Sequence, residues 1–243
     1  MKKTLFVGCG GSGITTLLRV NELLAGNPGT RNRIREDISY MVIDTEVDKI
    51  TKFEKTIEDQ MGGKGLPVIL PVQVTKGYHK LFEIVNPNFD GKDSETLSLL
   101  KPHWWFTPDE GGKEGRPFRA INLPGSISEG ASQCAPVSYL AVWNYLPRLK
   151  KDIAKLLGEI QLNNTDAVNP LKDLKVYIVT SLAGGTGRGC WNLVAFKIRQ
   201  CLKELGAPAE PTGVFFDASC FPNVTKPDNR RSLRMKSLTG MSS

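Results

Sequence analysis

The sequence predicts an α/β fold with a mainly parallel sheet, and three observations point to it. Short β-rich apolar runs alternate with amphipathic helical patterns, which is the signature of βαβ units. Two glycine clusters, Gly8 to Gly13 and Gly184 to Gly189, each stand between such a run and such a helix. No run is long and apolar enough to suggest a membrane span, and the 40% hydrophobic and 23% charged composition of the 243 residues is that of a globular chain.

The elements follow in order. Lys3 to Val7 reads as a first strand stopping at Gly8, and Ile14, Leu17, Leu18, Leu24 and Ala25 mark one face of the helix after it. Gly26-Asn27-Pro28-Gly29 ends that helix, because glycine accepts left-handed torsions and proline cannot continue the hydrogen-bond ladder. A second strand runs from Ile38 to Ile43, closed by Asp44. From Thr45 to about Gly130 glycine and proline recur, so loops and short strands are expected there, with His103-Trp104-Trp105-Phe106 as a packing anchor.

Helical spacing resumes near Val137 and continues through Leu149, Ile153, Leu156 and Leu157, with Pro147 expected to kink or divide it. Val176 to Leu182 is a β-branched, buried strand ahead of the second glycine cluster. Val194, Ile198, Cys201, Leu202 and Leu205 then line a helix that Gly206 terminates, and a last strand is expected from Gly213 to about Ala218.

Charge and cysteine content narrow the function classes. The net charge of +7 is scattered, so it permits an anionic ligand without implying a polyanion, and no nucleic-acid reading motif is present. Five cysteines without CxxC spacing read as reduced thiols, and with two histidines a structural zinc site is disfavoured. With no signal-peptide-like start, a cytoplasmic protein that does not engage a membrane is expected.

Both glycine clusters have the makings of an anion cradle. Gly8-Cys9-Gly10-Gly11-Ser12-Gly13 leaves a strand and opens a helix, so the backbone can approach a ligand where unpaired N–H groups point outward. The same residues satisfy GxGxxG and suit a dinucleotide fold, and a tight turn without ligand is the plain alternative. Ala183-Gly184-Gly185-Thr186-Gly187-Arg188-Gly189 repeats the context, adding a second helix dipole and the Thr186 hydroxyl. Neither cluster is followed by GKS or GKT, so neither is a Walker-type loop.

With these two loops in hand, the chain resembles the tubulin/FtsZ superfamily, whose members pair an early GxGGxG-like loop with a later GGGTG(S/T)G signature. Here they read GCGGSG and AGGTGRG. Gly130-Ala131-Ser132-Gln133 before a helix is similar to a third, GAG-like loop and makes the arrangement most like the large bacterial tubulin-like proteins. The resemblance implies a Rossmann-like three-layer sandwich of the tubulin/FtsZ type, spanning residues 1–225 with a loop-rich insertion at about 60–130. A basic segment, 226–243, follows.

It further implies that GTP or GDP binds with Mg2+, held by Gly8, Cys9, Gly10, Gly11, Ser12 and Gly13, by Gly130, Ala131 and Ser132, and by Ala183, Gly184, Gly185, Thr186, Gly187 and Arg188. Asp44 would reach the sugar or base side, or else be a solvated strand-end carboxylate. Arg230 or Arg231 would assist at the ribose and phosphates, or else face solvent. No catalytic residue and no metal ligand is named.

Two departures bear on function. Ala183 replaces a glycine, and Arg188 stands where the family has serine or threonine, so that it either grips a phosphate or swings outward. In the family, acidic residues from a second domain of the next subunit drive hydrolysis, which implies self-association. The sequence stops at Ser243, before such a domain, so binding with little turnover is expected. The competing readings are an NAD(P)- or flavin-dependent Rossmann oxidoreductase and a non-catalytic scaffold on the same fold. Asp44 lies farther from the first loop than the roughly 20 residues usual for the former, and the second loop would then have no role.

Overall fold

The computed structural model describes residues 3–63, 65–75, 131, 135–162, 171–207 and 209–220. Five strands are present among them: β1 (Thr4–Cys9), β2 (Ile38–Asp44), β3 (Val68–Gln73), β4 (Lys175–Ser181) and β5 (Pro211–Phe216). They form one parallel sheet in the order β3-β2-β1-β4-β5. The helices are α1 (Gly10–Ala25), α2 (Pro28–Asp37), α3 (Val47–Met61), α4 (Ala135–Leu162) and α5 (Gly185–Glu204).

Successive side chains of a strand point to opposite faces, and the core divides accordingly. Leu5, Val7 and Cys9 of β1 with Met41 and Ile43 of β2 join one cluster, completed by Val137, Leu149, Ile153 and Leu157 of α4 and Val194 and Ile198 of α5. Tyr40 and Val42 of β2 and Val179 of β4 join the other, with Ile14 and Leu17 of α1, Ile34 of α2, and Ile50, Phe53 and Ile57 of α3. Helices thus cover both faces of the sheet, giving a three-layer Rossmann-like α/β sandwich. A sheet buried on both sides explains why β2 is apolar almost throughout rather than alternating.

Several expectations need correcting. Asn27-Pro28 ends α1, but it also starts α2: the Asn27 side chain accepts from the Gly29 amide at 2.9 Å, and proline suits the first turn of a helix. The segment after Thr45 begins not with loops but with α3, whose Ile50, Phe53, Ile57 and Met61 are buried and which ends on a left-handed Gly62. Pro147 lies inside α4 without dividing it. Pro71 is accommodated because, among the described residues, β3 is an edge strand. Gly130, Ser132, Arg230, Arg231, the 103–106 aromatic cluster and most of the 60–130 insertion lie outside the described residues.

Candidate nucleotide site

Strand order reverses between β1 and β4: the chain proceeds outward through β2 and β3 on one side and through β5 on the other. Ligands of open α/β sheets bind in the crevice outside the strand C-termini at such a reversal. Both glycine loops open there, because β1 ends at Cys9 and β4 at Ser181, paired side by side through Cys9 and Thr180.

The two loops touch. Gly10 has a φ of +72°, and a Cβ built on it would lie 2.8 Å from the Gly187 amide nitrogen. A Cβ on Gly187 would in turn lie 2.1 Å from Thr180 Oγ1 and 2.8 Å from the Cys9 carbonyl oxygen. The Thr180 hydroxyl donates to that same carbonyl at 3.0 Å, locking the strand ends together. Gly13 performs the corresponding service for α1, where a Cβ would lie 2.3 Å from the Val179 carbonyl oxygen of β4.

A cleft of about 850 Å³ lies over these loops. Cys9, Gly10, Gly11 and Ser12 line one wall, and Gly184, Gly185, Thr186 and Gly187 the other. The N-caps of α1 and α5, Cys9 and Gly184, make no side-chain cap hydrogen bond, and neither first turn carries an acidic residue. The first N–H groups of a helix have no partner within it, so two uncapped N-termini present donors and positive dipole ends to the same space.

The remaining predicted residues take distinct places. Ala131 lines the cleft. Ala183 is buried, and its amide donates to Ser181 Oγ at 3.1 Å, so the methyl group is absorbed into the turn. Gly8 lies under the loop, where a Cβ would meet Leu17 at 2.9 Å. Arg188, in the first turn of α5, is half-buried and is not among the residues that line the cleft.

Asp44 lies beneath the cleft, 1% exposed. Its Oδ1 accepts from the Thr45 amide at 2.7 Å, the Glu46 amide at 3.2 Å and the Thr45 hydroxyl at 3.3 Å. Its Oδ2 is buried without a hydrogen-bond partner among the described residues. Burial pushes its carboxyl above the ordinary carboxylate range, opposed by the Glu46 amide, the Lys49 charge and the Thr45 amide.

Residues that sequence reasoning passed over complete the site. Thr45 Oγ1 lies 3.2 Å from Thr186 Oγ1, joining the end of β2 to the second loop. Ser138 of α4 donates to the Gly185 carbonyl at 2.8 Å, and a Cβ on Gly189 would lie 2.0 Å from Ser138 Oγ, so α4 is latched to the same loop. Thr15, Thr16, Glu46 and Lys49 also line the cleft. Thr15 and Thr16 follow the first glycine loop closely and Thr45 and Glu46 follow Asp44, whereas Lys49 and Ser138 belonged to no motif.

The two thiols at the loops are packed inside the fold. Cys9, Cys190, Cys201 and Cys220 are free among the described residues, and Cys9 and Cys190 are buried. A hydrogen bond with Cys9 and burial together push the Cys190 thiol well above its ordinary value, which disfavours the reactive thiolate. Among the described residues no group of three or more His, Cys, Asp or Glu side chains is placed to hold a metal ion. None of their helices is long and apolar enough to cross a membrane.

The family model described as "Tubulin like" matches residues 5–235. Two solved structures of FtsZ from M. jannaschii are similar: an empty FtsZ dimer at 14% identity and TM-score 0.42, and the FtsZ W319Y mutant at 15% and 0.37. Each covers 99% of this chain, which spans 42% of either relative's length. No curated protein matches the chain. With a family model matched over nearly its whole length, the chain belongs to the tubulin-like family.

Proposed function

We propose that this chain is the guanine-nucleotide-binding domain of a tubulin-like assembly protein, holding the phosphates of GTP or GDP between its two glycine loops. The observation that carries this reading is the contact between the loops at the switch point, where Gly10 approaches the Gly187 amide too closely for any side chain. Two uncapped helix N-termini facing one cleft are suited to an oligophosphate, because each supplies amide donors and a positive dipole end. A cleft of about 850 Å³ is of the size that holds a nucleotide-sized ligand.

Magnesium fits the donor set as a partner of the phosphates. Such an ion keeps several waters and takes one or two protein oxygens, and Glu46 is the one carboxylate among the described residues that line the cleft. The ion would neutralise phosphate charge and orient the terminal group, with Glu46 and the Thr186 hydroxyl as candidate oxygens. The loops bind, the Thr45–Thr186 hydroxyl pair steadies the second of them, and Ser138 braces it from α4. Hydrolysis also needs a group that orients water. Glu46, the one carboxylate lining the cleft among the described residues, would be shared between the ion and Lys49, 2.8 Å away, which leaves no second carboxylate there to orient water, so slow turnover by this chain alone is expected. Self-association driven by nucleotide completes the reading.

Gly184→Asp is the sharpest test. Among the described residues a Cβ at Gly184 meets nothing closer than the Ser181 carbonyl oxygen at 3.9 Å, so the side chain fits, and aspartate is a good N-cap for α5. Its carboxylate would take the amides that phosphate needs. The variant should fold at least as stably as the parent while losing GTP and GDP in calorimetric titration. Binding of NAD in place of GTP and GDP by the parent would favour the dinucleotide fold, and a folded parent that binds no purine nucleotide would favour the scaffold. Light scattering with and without GTP tests self-association.

A further inference from the structure

We infer that Lys49 is the phosphate-binding cation of this cleft, held across the first glycine loop by Glu46. The inference rests on the nucleotide reading above and adds a residue that neither the glycine motifs nor the family resemblance points to. Among the described residues that line the cleft, Lys49 is the one basic side chain and Glu46 the one acidic side chain. Backbone amides and helix dipoles contribute only partial charges, whereas an oligophosphate carries several full negative charges. A full cation is therefore the missing component, and Arg188, the sequence-level candidate, is not on the cleft wall.

The position of Lys49 follows from a short series of constraints. Asp44 Oδ1 accepts the Glu46 amide at 3.2 Å, which sets where α3 begins. Glu46 Oε1, one turn back from Lys49, receives the ammonium at 2.8 Å. The lysine stem then lies against Gly11 in the first turn of α1: a Cβ there would meet Lys49 Nζ at 3.0 Å and its Cδ and Cε at 3.3 Å. The ammonium consequently stands against Gly11, in the cleft that Gly10, Gly11 and Ser12 also line. Its side chain is 44% exposed, so two of its three protons remain available toward the cleft after one goes to Glu46.

Lysine suits this place as a compact, strongly hydrated point charge on a flexible stem, able to follow a phosphate oxygen without the fixed planar fork of arginine. The Glu46 pair offsets the charge until phosphate shares it, and a tethered ammonium loses less freedom on binding than a free one.

Titration calorimetry of GTP and GDP against the unmodified chain, Lys49→Met and Lys49→Arg tests this, with far-UV circular dichroism confirming that each variant folds. Lys49 lies on an exposed helix surface, where methionine is a good helix former, so the fold should persist. Lys49→Met should weaken both nucleotides roughly 10- to 100-fold, the range of a charge-assisted hydrogen bond, and bind with less dependence on salt. Lys49→Arg should recover most of the loss. Undiminished affinity in Lys49→Met would overturn the assignment while leaving the nucleotide reading intact, provided Gly184→Asp still abolishes binding. An unmodified chain that binds neither nucleotide overturns both.

Discussion

Gly10 and Gly63 share a left-handed backbone, with φ of +72° and +70°, yet among the described residues only Gly10 of the two has a neighbour within reach of a Cβ. The comparison separates torsional cost from contact cost. Alanine at Gly63 should lose about 1–2 kcal/mol, the penalty of an L-residue in that region. Alanine at Gly10 adds a collision with the Gly187 amide, so its loss should be on the order of 2–5 kcal/mol and should include nucleotide affinity. Urea denaturation of the two variants measures the difference, and equal losses would mean that the loops are not in contact. Asp44 gives a second residue-level expectation, in pH. Burial raises its carboxyl, so the folded state holds this proton to higher pH than the unfolded chain does. Its contribution to stability is therefore complete below the ordinary carboxylate range and is lost as pH rises through the raised folded value. Asp44→Asn keeps the acceptor for the Thr45 and Glu46 amides without the buried charge. Melting curves at about pH 4 and about pH 7 should show the variant gaining on the parent as pH rises; an unchanged gap would place the carboxylate in solvent.

At the scale of elements, α1 and α5 were legible because each begins at a glycine cluster and shows helical apolar spacing. The two helices not foreseen were hidden for different reasons. α3 carries a clear period in Ile50, Phe53, Ile57 and Met61, but its N-cap, Glu46, makes no side-chain cap bond. Its start is instead fixed by Asp44 from the end of β2, in a stretch otherwise rich in glycine and proline. α2 contributes Ile34 to the core and is otherwise strongly polar, so it lacks an apolar stripe to read. Phe53 tests the role of α3: it is fully buried and packs edge-on against Tyr40 with ring centroids 5.6 Å apart. Phe53→Ala should cost about 3–5 kcal/mol in urea denaturation, the range for deleting a core aromatic ring. A loss below about 1 kcal/mol would mean that α3 does not seal this face of the sheet.

For the molecule as a whole, a ligand that binds only the folded state stabilises it by mass action. At one hundred times its dissociation constant a nucleotide should add about 2.7 kcal/mol, which for a domain of this size corresponds to a melting shift of roughly 5–10 °C. Thermal melts with GTP and GDP should show that shift in the parent and not in Gly184→Asp. A shift surviving in the variant would locate the nucleotide elsewhere. The sequence by itself determined the succession of strand, glycine loop and helix, occurring twice, and with it the kind of ligand to expect, because hydrophobic period and glycine placement are local properties of the chain. Only the tertiary structure decided that the two loops meet, since the hydrogen bond joining their strands links Cys9 to Thr180, 171 residues apart. It also took Asp44 beneath the cleft and brought Lys49 and Ser138 to the loops. Those outcomes depend on strand order and helix packing, which arise from contacts between distant segments and leave no periodic trace along the chain.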